Sequence, residues 1–229
     1  MATSHGIDDY LETIYFLAFP IGEYRPNVSG TSQTIASRVA EMLGVSRASA
    51  GEMLKRLEAE GLIERGARKE ALLTASGRER AERVVRKHRL IERLLTDFMG
   101  YTGAEAHERA DDLGDTFDDE MIDRIDEKLG HPDRCPHGWP VDPGVEQAEN
   151  ADLAPLAALT AGTRATIVRL AEHDGDLLHW FYEQGLVPGE ELEVRRADAA
   201  ADQFTVTLAD GERAISEKAA AGLFVRPVR

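Results

Sequence analysis

Residues 31–74, TSQTIASRVAEMLGVSRASAGEMLKRLEAEGLIERGARKEALLT, decide the fold of the N-terminal part of the chain. Ile35, Val39, Met42 and Leu43 recur at helical spacing, and Thr31 or Ser32 can cap their helix. Gly44 falls where a left-handed C-cap belongs. Ser46 can then cap a second helix that buries Ala50, Met53, Leu54 and Leu57 and stops at Gly61. Helix, glycine turn, helix is the helix-turn-helix pattern. Residues 62–64 and 71–73 read as two short strands joined by a basic turn over 65–69, which is a wing. A plain three-helix domain ending in a hairpin would give the same pattern.

On the N-terminal side, Ile7, Leu11, Ile14 and Ala18 predict a helix ended by Pro20 and Gly22, followed by a turn-rich connector over 23–30. On the C-terminal side, Thr74 can cap a long helix to about Phe98. Its apolar stripe is Ala81, Val84, Val85, Ile91, Leu94, Leu95 and Phe98. Helices over 103–114 and 116–129 follow, and a helical segment of this kind beside a winged helix usually makes a dimer interface. HPDRCPHGWPVDPG is a Pro/Gly-rich loop, and EQAENAD reads as a linker. From Leu153 the texture becomes β-like: runs at 165–169, 191–195, 204–208, 213–216 and 223–228, with one helix near 176–184, fit a small five-stranded barrel. The expected division is 1–75, 76–150 and 151–229.

The 229 residues carry a formal net charge of -15, which at first argues against a nucleic-acid partner. The distribution reverses that reading: residues 97–152 carry a net -13, whereas 1–75 carry -2 and 76–96 carry +4. The N-terminal part is free to meet a phosphate backbone. Lysine occurs five times, at Lys55, Lys69, Lys87, Lys128 and Lys218. Abundant Asp and Glu with so little Lys points to a halophilic cytoplasm, where an acidic surface stays soluble; an ordinary acidic protein is the alternative. The single cysteine, Cys135, allows no internal disulfide and agrees with a reducing compartment. With no spanning apolar run and no signal pattern at the start, the expected location is cytoplasmic.

Three clusters could carry chemistry. His88 and Glu92 share a helix face at i, i+4; His107, Asp111 and Asp115 form a second stripe; Asp8, Asp9 and Glu12 form a third. Mixed imidazole and carboxylate donors suit Mn²⁺, Fe²⁺, Co²⁺ or Zn²⁺. Each cluster alone also reads as a solvated surface pair. Cys135 and His137 fall far short of a structural zinc set and read as a packed loop between domains. On the second helix of the motif, Ser46, Arg47, Ala48, Ser49, Gly51, Glu52 and Lys55 occupy the leading faces. Arg47 and Lys55 can reach phosphates or guanine edges, and Arg65, Arg68 and Lys69 of the wing can touch backbone.

LTASG followed by RKHRLIERLLTDF, with DDYLETIY at the start and CPHGWP in the loop, resembles the DtxR family of iron- and manganese-dependent repressors. The similarity spans essentially the whole chain, with a longer connector around 24–31. It implies a mainly α fold with a small β-barrel: a winged helix, a helical dimerisation and metal domain, and an SH3-like (FeoA-like) C-terminal domain. It implies His88, Glu92 and His107 as the ancillary metal site, with Asp174 aligned to a third-domain glutamate and Leu177 where a glutamine ligand would stand. The primary site maps to Asp9, Asp111, Gly114 and Asp115, and Glu12 matches a manganese-type ligand. Gly114 stands where the family has a glutamate, and Asp115 where it has a histidine.

The expected function is therefore a Mn²⁺- or Fe²⁺-dependent DNA-binding regulator, a homodimer on a pseudo-palindromic operator, repressing metal-homeostasis genes. A winged-helix regulator answering a non-metal signal is the alternative. An enzyme is disfavoured, because the chain offers no nucleophile–base pair, phosphate-binding glycine loop or HExxH.

Overall fold

The computed structural model describes residues 5–18, 34–65, 71–114, 116–172, 174–198 and 202–228. They fall into two compact units, the boundary lying after Arg86. No helix among the described residues is long and apolar enough to cross a membrane.

The first unit opens with α1 (Ile7–Ala18), which buries Tyr10, Leu11, Ile14 and Tyr15 at helical spacing. The Pro20 and Gly22 stop, the 23–30 connector and the Thr31 or Ser32 cap lie outside the described residues. α2 (Ile35–Met42) is capped instead by Thr34, whose side chain accepts from the Ser37 N–H. Gly44 has φ +63, as its position requires. The Val45 N–H donates to the Ala40 carbonyl at 3.0 Å and the Gly44 N–H to the Glu41 carbonyl at 3.4 Å, the paired bonds of a Schellman turn. Ser46 then caps α3 (Arg47–Ala59), which buries Ala50, Leu54 and Leu57. The antiparallel strands β1 (Ile63–Arg65) and β2 (Ala71–Leu73) pair Ile63 with Leu73, one residue further along the first strand than the sequence predicts. Arg68 and Lys69 lie outside the described residues.

Thr74 heads α4 (Ala75–Met99), accepting from the Gly77 N–H at 3.1 Å while its hydroxyl donates to the Gly61 carbonyl at 2.7 Å. A β-carbon on Gly77 would lie 1.8 Å from the Leu62 carbonyl oxygen, so only glycine permits this closure of the wing on the helix. Ala81 and Val85 of α4 join the core formed by α1, α2, α3 and the hairpin.

In the second unit a Thr102–Glu105 capping box starts α5 (Gly103–Leu113). α6 (Asp119–Leu129) begins three residues later than expected, because the Asp118 side chain accepts from the Met121 N–H. Leu90, Ile91, Leu95, Ala106, Ala110, Ile122 and Val141 form one core. The expected linker is instead a short helix, α7 (Glu146–Asn150), because its acids meet arginines of other elements: Glu146 bonds the buried Arg89, and Glu149 pairs with the buried Arg169 and the half-exposed Arg134.

The C-terminal part is a six-stranded antiparallel sheet rather than five strands. Its strands are β3 (Ala154–Pro155), β4 (Arg164–Leu170), β5 (Glu191–Asp198), β6 (Gln203–Leu208), β7 (Gly211–Ser216) and β8 (Leu223–Pro227). They are ordered β3-β8-β4-β5-β6-β7. The strand the sequence misses, β3, has two residues, too few for a period to show. α8 (Gly175–Glu183) packs Leu178 and Phe181 into the sheet's core, and α9 (Glu217–Ala221) adds Ala219 and Ala220.

Candidate metal centre

α4 and α5 bring three of the sequence-predicted ligands together. His88 Nε2 is 2.9 Å from Glu92 Oε1 and 3.1 Å from His107 Nδ1, and His107 Nδ1 is 2.8 Å from the same Glu92 oxygen. Glu92 is fully buried. Donors bound to one divalent ion at about 2.1 Å in six-coordinate geometry lie about 3 Å apart, so the three observed separations are the edges such an ion needs. Among the described residues, Glu92 Oε2 is buried without a hydrogen-bond partner. That lone pair is costly to leave unmet unless a cation takes it. The other nitrogen of His88, Nδ1, lies 3.2 Å from Asp111 Oδ1. A carboxylate there fixes the ring's tautomer and turns Nε2 inward.

The CPHGW loop adds donors to the same carboxylate. The Cys135 N–H donates to the Trp139 carbonyl at 2.8 Å, and the Gly138 N–H to the Cys135 carbonyl at 3.0 Å, closing a tight turn. Gly138, at φ +86, packs so close to β4 that a β-carbon would lie 1.8 Å from the Val168 carbonyl oxygen. The Leu170 N–H donates to the His137 carbonyl, Trp139 Nε1 to the Leu170 carbonyl at 2.7 Å, and the Tyr182 hydroxyl to the Pro136 carbonyl at 3.0 Å. So held, His137 Nδ1 lies 3.3 Å from Glu92 Oε1 and 3.6 Å from Glu172 Oε1. Cys135 Sγ lies 3.3 Å from Glu172 Oε1 and 3.8 Å from His137 Nδ1. Cys135, His137 and Glu172 are all buried, and one ligand atom from each, with one from Glu92, lies within 4.8 Å of every other.

The electrostatics follow from burial and pairing. Burial pushes the Glu92 carboxyl up, but His137 and His88 beside it outweigh that and hold it well below the usual carboxylate range. Burial lowers the His137 imidazole, yet Glu92 and its bonds to Cys135 and Glu172 raise it well above the ordinary histidine value. Burial, with Glu172 and Glu92 adding to it, pushes the Cys135 thiol up to about 12. Burial also raises Glu172, and the Arg89 guanidinium brings it below its ordinary value. A cation entering here displaces protons from His137 and Cys135, as metal binding to such ligands must.

The third-domain acid in this cluster is Glu172, not Asp174. The Asp174 side chain caps α8, accepting from the Leu177 N–H at 3.0 Å, and pairs with Lys218. Cys135 and His137 do belong to a packed loop, as expected, but the loop also faces two carboxylates. Two charged residues, Arg169 and Glu172, interrupt the apolar run IVRLAE and signal buried polar side chains there, but nothing local says which partners Glu172 meets. Asp9 and Glu12 lie on α1, where the Asp9 carboxylate accepts from the Gly6 N–H at 2.9 Å and lies 3.1 Å from His5 Nδ1. Gly114 ends α5, and Asp115 lies outside the described residues.

In the first unit, Ser46 at the cap of α3 and Arg47, Ala48, Ser49, Glu52 and Lys55 on the helix are exposed. Gly51 lies among them with open space where a side chain would be. Arg65, on β1, is exposed and lies 3.5 Å from Glu58.

Comparison with known proteins accords with this geometry. Residues 26–71 match the iron dependent repressor N-terminal DNA binding domain, 74–142 the iron dependent repressor metal binding and dimerisation domain, and 154–227 the FeoA domain. The iron-dependent repressor IdeR of Mycobacterium leprae is 32% identical over 178 residues, covering 72% of this chain and 77% of its own. The diphtheria toxin repressor of Corynebacterium glutamicum is 33% identical over 145 residues, covering 60% and 64%. Among solved structures, a manganese-dependent transcriptional repressor in complex with manganese superposes with a TM-score of 0.79 at 28% identity, covering 97% of this chain and 100% of that one. Three tandem family domains and relatives alike over most of both lengths leave one conclusion: this chain belongs to the DtxR family of iron-dependent repressors.

Proposed function

We infer that the protein is an iron- or manganese-dependent DNA-binding transcriptional repressor that acts as a homodimer. One observation carries the metal reading: the fully buried Glu92 carboxylate is ringed by His88, His107 and His137 and keeps one oxygen without a partner among the described residues. His88, Glu92 and His107 hold the ion, and Cys135, His137 and Glu172 adjoin it. The bound cation supplies positive charge among these side chains and fixes their mutual positions. Asp111 orients His88, Arg89 offsets the charge of Glu172, and Tyr182 and Trp139 hold the CPHGW loop in place. The carboxylates that the family resemblance assigns to a further metal position, Asp9, Glu12, Asp111 and Asp115, carry that role from sequence alone.

DNA is met by the exposed side of α3, with Arg47 and Lys55 as its cations and Arg65, Arg68 and Lys69 of the wing on the backbone. The operator is a pseudo-palindrome with half-sites about one helical turn apart, because a two-fold dimer presents two recognition helices. The division into 1–75, 76–150 and 151–229 assigns DNA binding, metal-linked dimerisation and the FeoA-like part in turn. Metal and DNA affinity are coupled reciprocally. Fluorescence anisotropy on a selected operator, with Mn²⁺, Fe²⁺ or chelator in parallel, tests this. Tight binding with metal and loss with chelator is expected. Equal binding in all three would favour a winged-helix regulator that answers another signal.

A further inference from the structure

The two donor groups meet at one residue. Glu92 belongs both to the set His88, Glu92, His107 and to the set Glu92, Cys135, His137, Glu172. Their geometries differ. Contacts in the first set run from 2.8 to 3.1 Å, the edges of a six-coordinate ion. Contacts in the second run from 3.3 to 3.8 Å. Tetrahedral ligands at about 2.0 to 2.3 Å, one of them sulfur, lie about 3.4 to 3.6 Å apart, so the second set has the spacing of a four-coordinate site. One ion cannot satisfy both shapes, and six side chains exceed what a tetrahedral ion takes.

From these separations and the unmet Glu92 oxygen, we propose that the centre is dinuclear: two divalent ions bound side by side with the Glu92 carboxylate bridging them. This rests on the metal reading above and deepens it. Glu92 Oε1 already faces His88, His107 and His137, and Oε2, buried and without a partner among the described residues, is the atom a bridge would use. The two positions differ in chemistry. His88, His107 and carboxylate oxygen offer a harder set that accepts Mn²⁺ or Fe²⁺. Cys135 thiolate with His137 and Glu172 offers a softer set that favours Fe²⁺, Co²⁺ or Zn²⁺ over Mn²⁺. Charge allows both: two divalent ions are met by the carboxylates of Glu92 and Glu172 and by the Cys135 thiolate, its proton leaving to solvent. Arg89, 3.8 Å from Glu172, keeps the thiolate side from excess negative charge when only one ion is present.

The test is an anaerobic Co²⁺ titration of the full chain, read by equilibrium dialysis, by the thiolate-to-cobalt charge-transfer band and by electron paramagnetic resonance. Cys135 is the chain's one cysteine, so the band reports the softer position without any substitution. In wild-type protein the band and spin coupling between two ions are expected. Cys135→Ser should lose one equivalent, the band and the coupling. His107→Ala should lose one equivalent and the coupling but keep the band. Uncoupled cobalt in saturated wild-type protein overturns the proposal, and that measurement needs no variant to fold. Loss of the charge-transfer band in His107→Ala as well as in Cys135→Ser also overturns it, but leaves a mononuclear centre and the repressor reading intact. Full cobalt binding by His107→Ala overturns both the bridge and the His88–Glu92–His107 assignment.

Discussion

The Arg169 guanidinium carbon lies 4.4 Å from the centroid of the Trp139 ring, with both residues fully buried. Arg89 lies 5.6 Å from the same ring, so one indole serves two buried cations. The indole also donates to the Leu170 carbonyl. Trp139→Ala removes a large buried side chain and leaves two guanidiniums and a carbonyl short of partners. A loss of about 3 to 5 kcal/mol is expected, read as a lower denaturation midpoint. Trp139→Phe, which keeps an aromatic face and loses the N–H, should cost less. Equal stability of Trp139→Ala and wild type would refute the role.

The half-buried imidazoles of His88 and His107 make a second expectation. His88→Ala or His107→Ala should lower metal affinity at least about tenfold, roughly 1.4 kcal/mol, in a calorimetric titration. Unchanged isotherms for both variants would remove these residues from the ligand set.

How much of this was legible beforehand depended on sequence distance. The helix-turn-helix could be read because Gly44 and Ser46 mark its turn locally. His88 and Glu92 could be read because i, i+4 fixes a shared helix face. Glu172 could not, because only the packing of β4 against the CPHGW loop brings it to Cys135 and His137. Asp174, two residues on, is the acid that the resemblance aligns, and its side chain caps α8 and pairs with Lys218 instead. The linker reading of 146–152 failed for a related reason: acids that look solvated in sequence meet arginines contributed by distant elements.

Glu149 gives an acid-stability prediction. Burial would raise its carboxyl, but the bonds to Arg134 and Arg169 bring it down to about 2. A depressed carboxylate contributes stability that is present above its unfolded pKa and is lost as the pH falls through the folded one. The second unit should therefore lose stability progressively between about pH 4.5 and pH 2. Glu149→Gln should start less stable at neutral pH and show a flatter acid limb in denaturant unfolding. Parallel pH profiles for the two proteins would contradict the pairing.

Salt should act on DNA binding unusually. For a basic protein, log affinity falls steeply with log salt, because each neutralised phosphate releases counterions. Here residues 97–152 carry a net -13 while the DNA-facing candidates contribute only a few cations, so dilute salt leaves long-range repulsion between the acidic segment and DNA. At about 1 M salt the screening length falls to about 3 Å. Repulsion from acids far from the interface then vanishes, while contacts from Arg47, Lys55 and the wing act at hydrogen-bond range and persist. The two terms oppose each other: counterion release weakens binding as salt rises, and relief of repulsion strengthens it. With so few phosphate contacts against so many acids, the expected result is a shallow or reversed slope, with tight binding in concentrated KCl. Fluorescence anisotropy on a selected operator at saturating metal, from low to multimolar KCl, measures it. A steep monotonic loss of affinity would show that the acidic segment is no adaptation to salt, and would leave an acidic DNA-binding chain without this explanation.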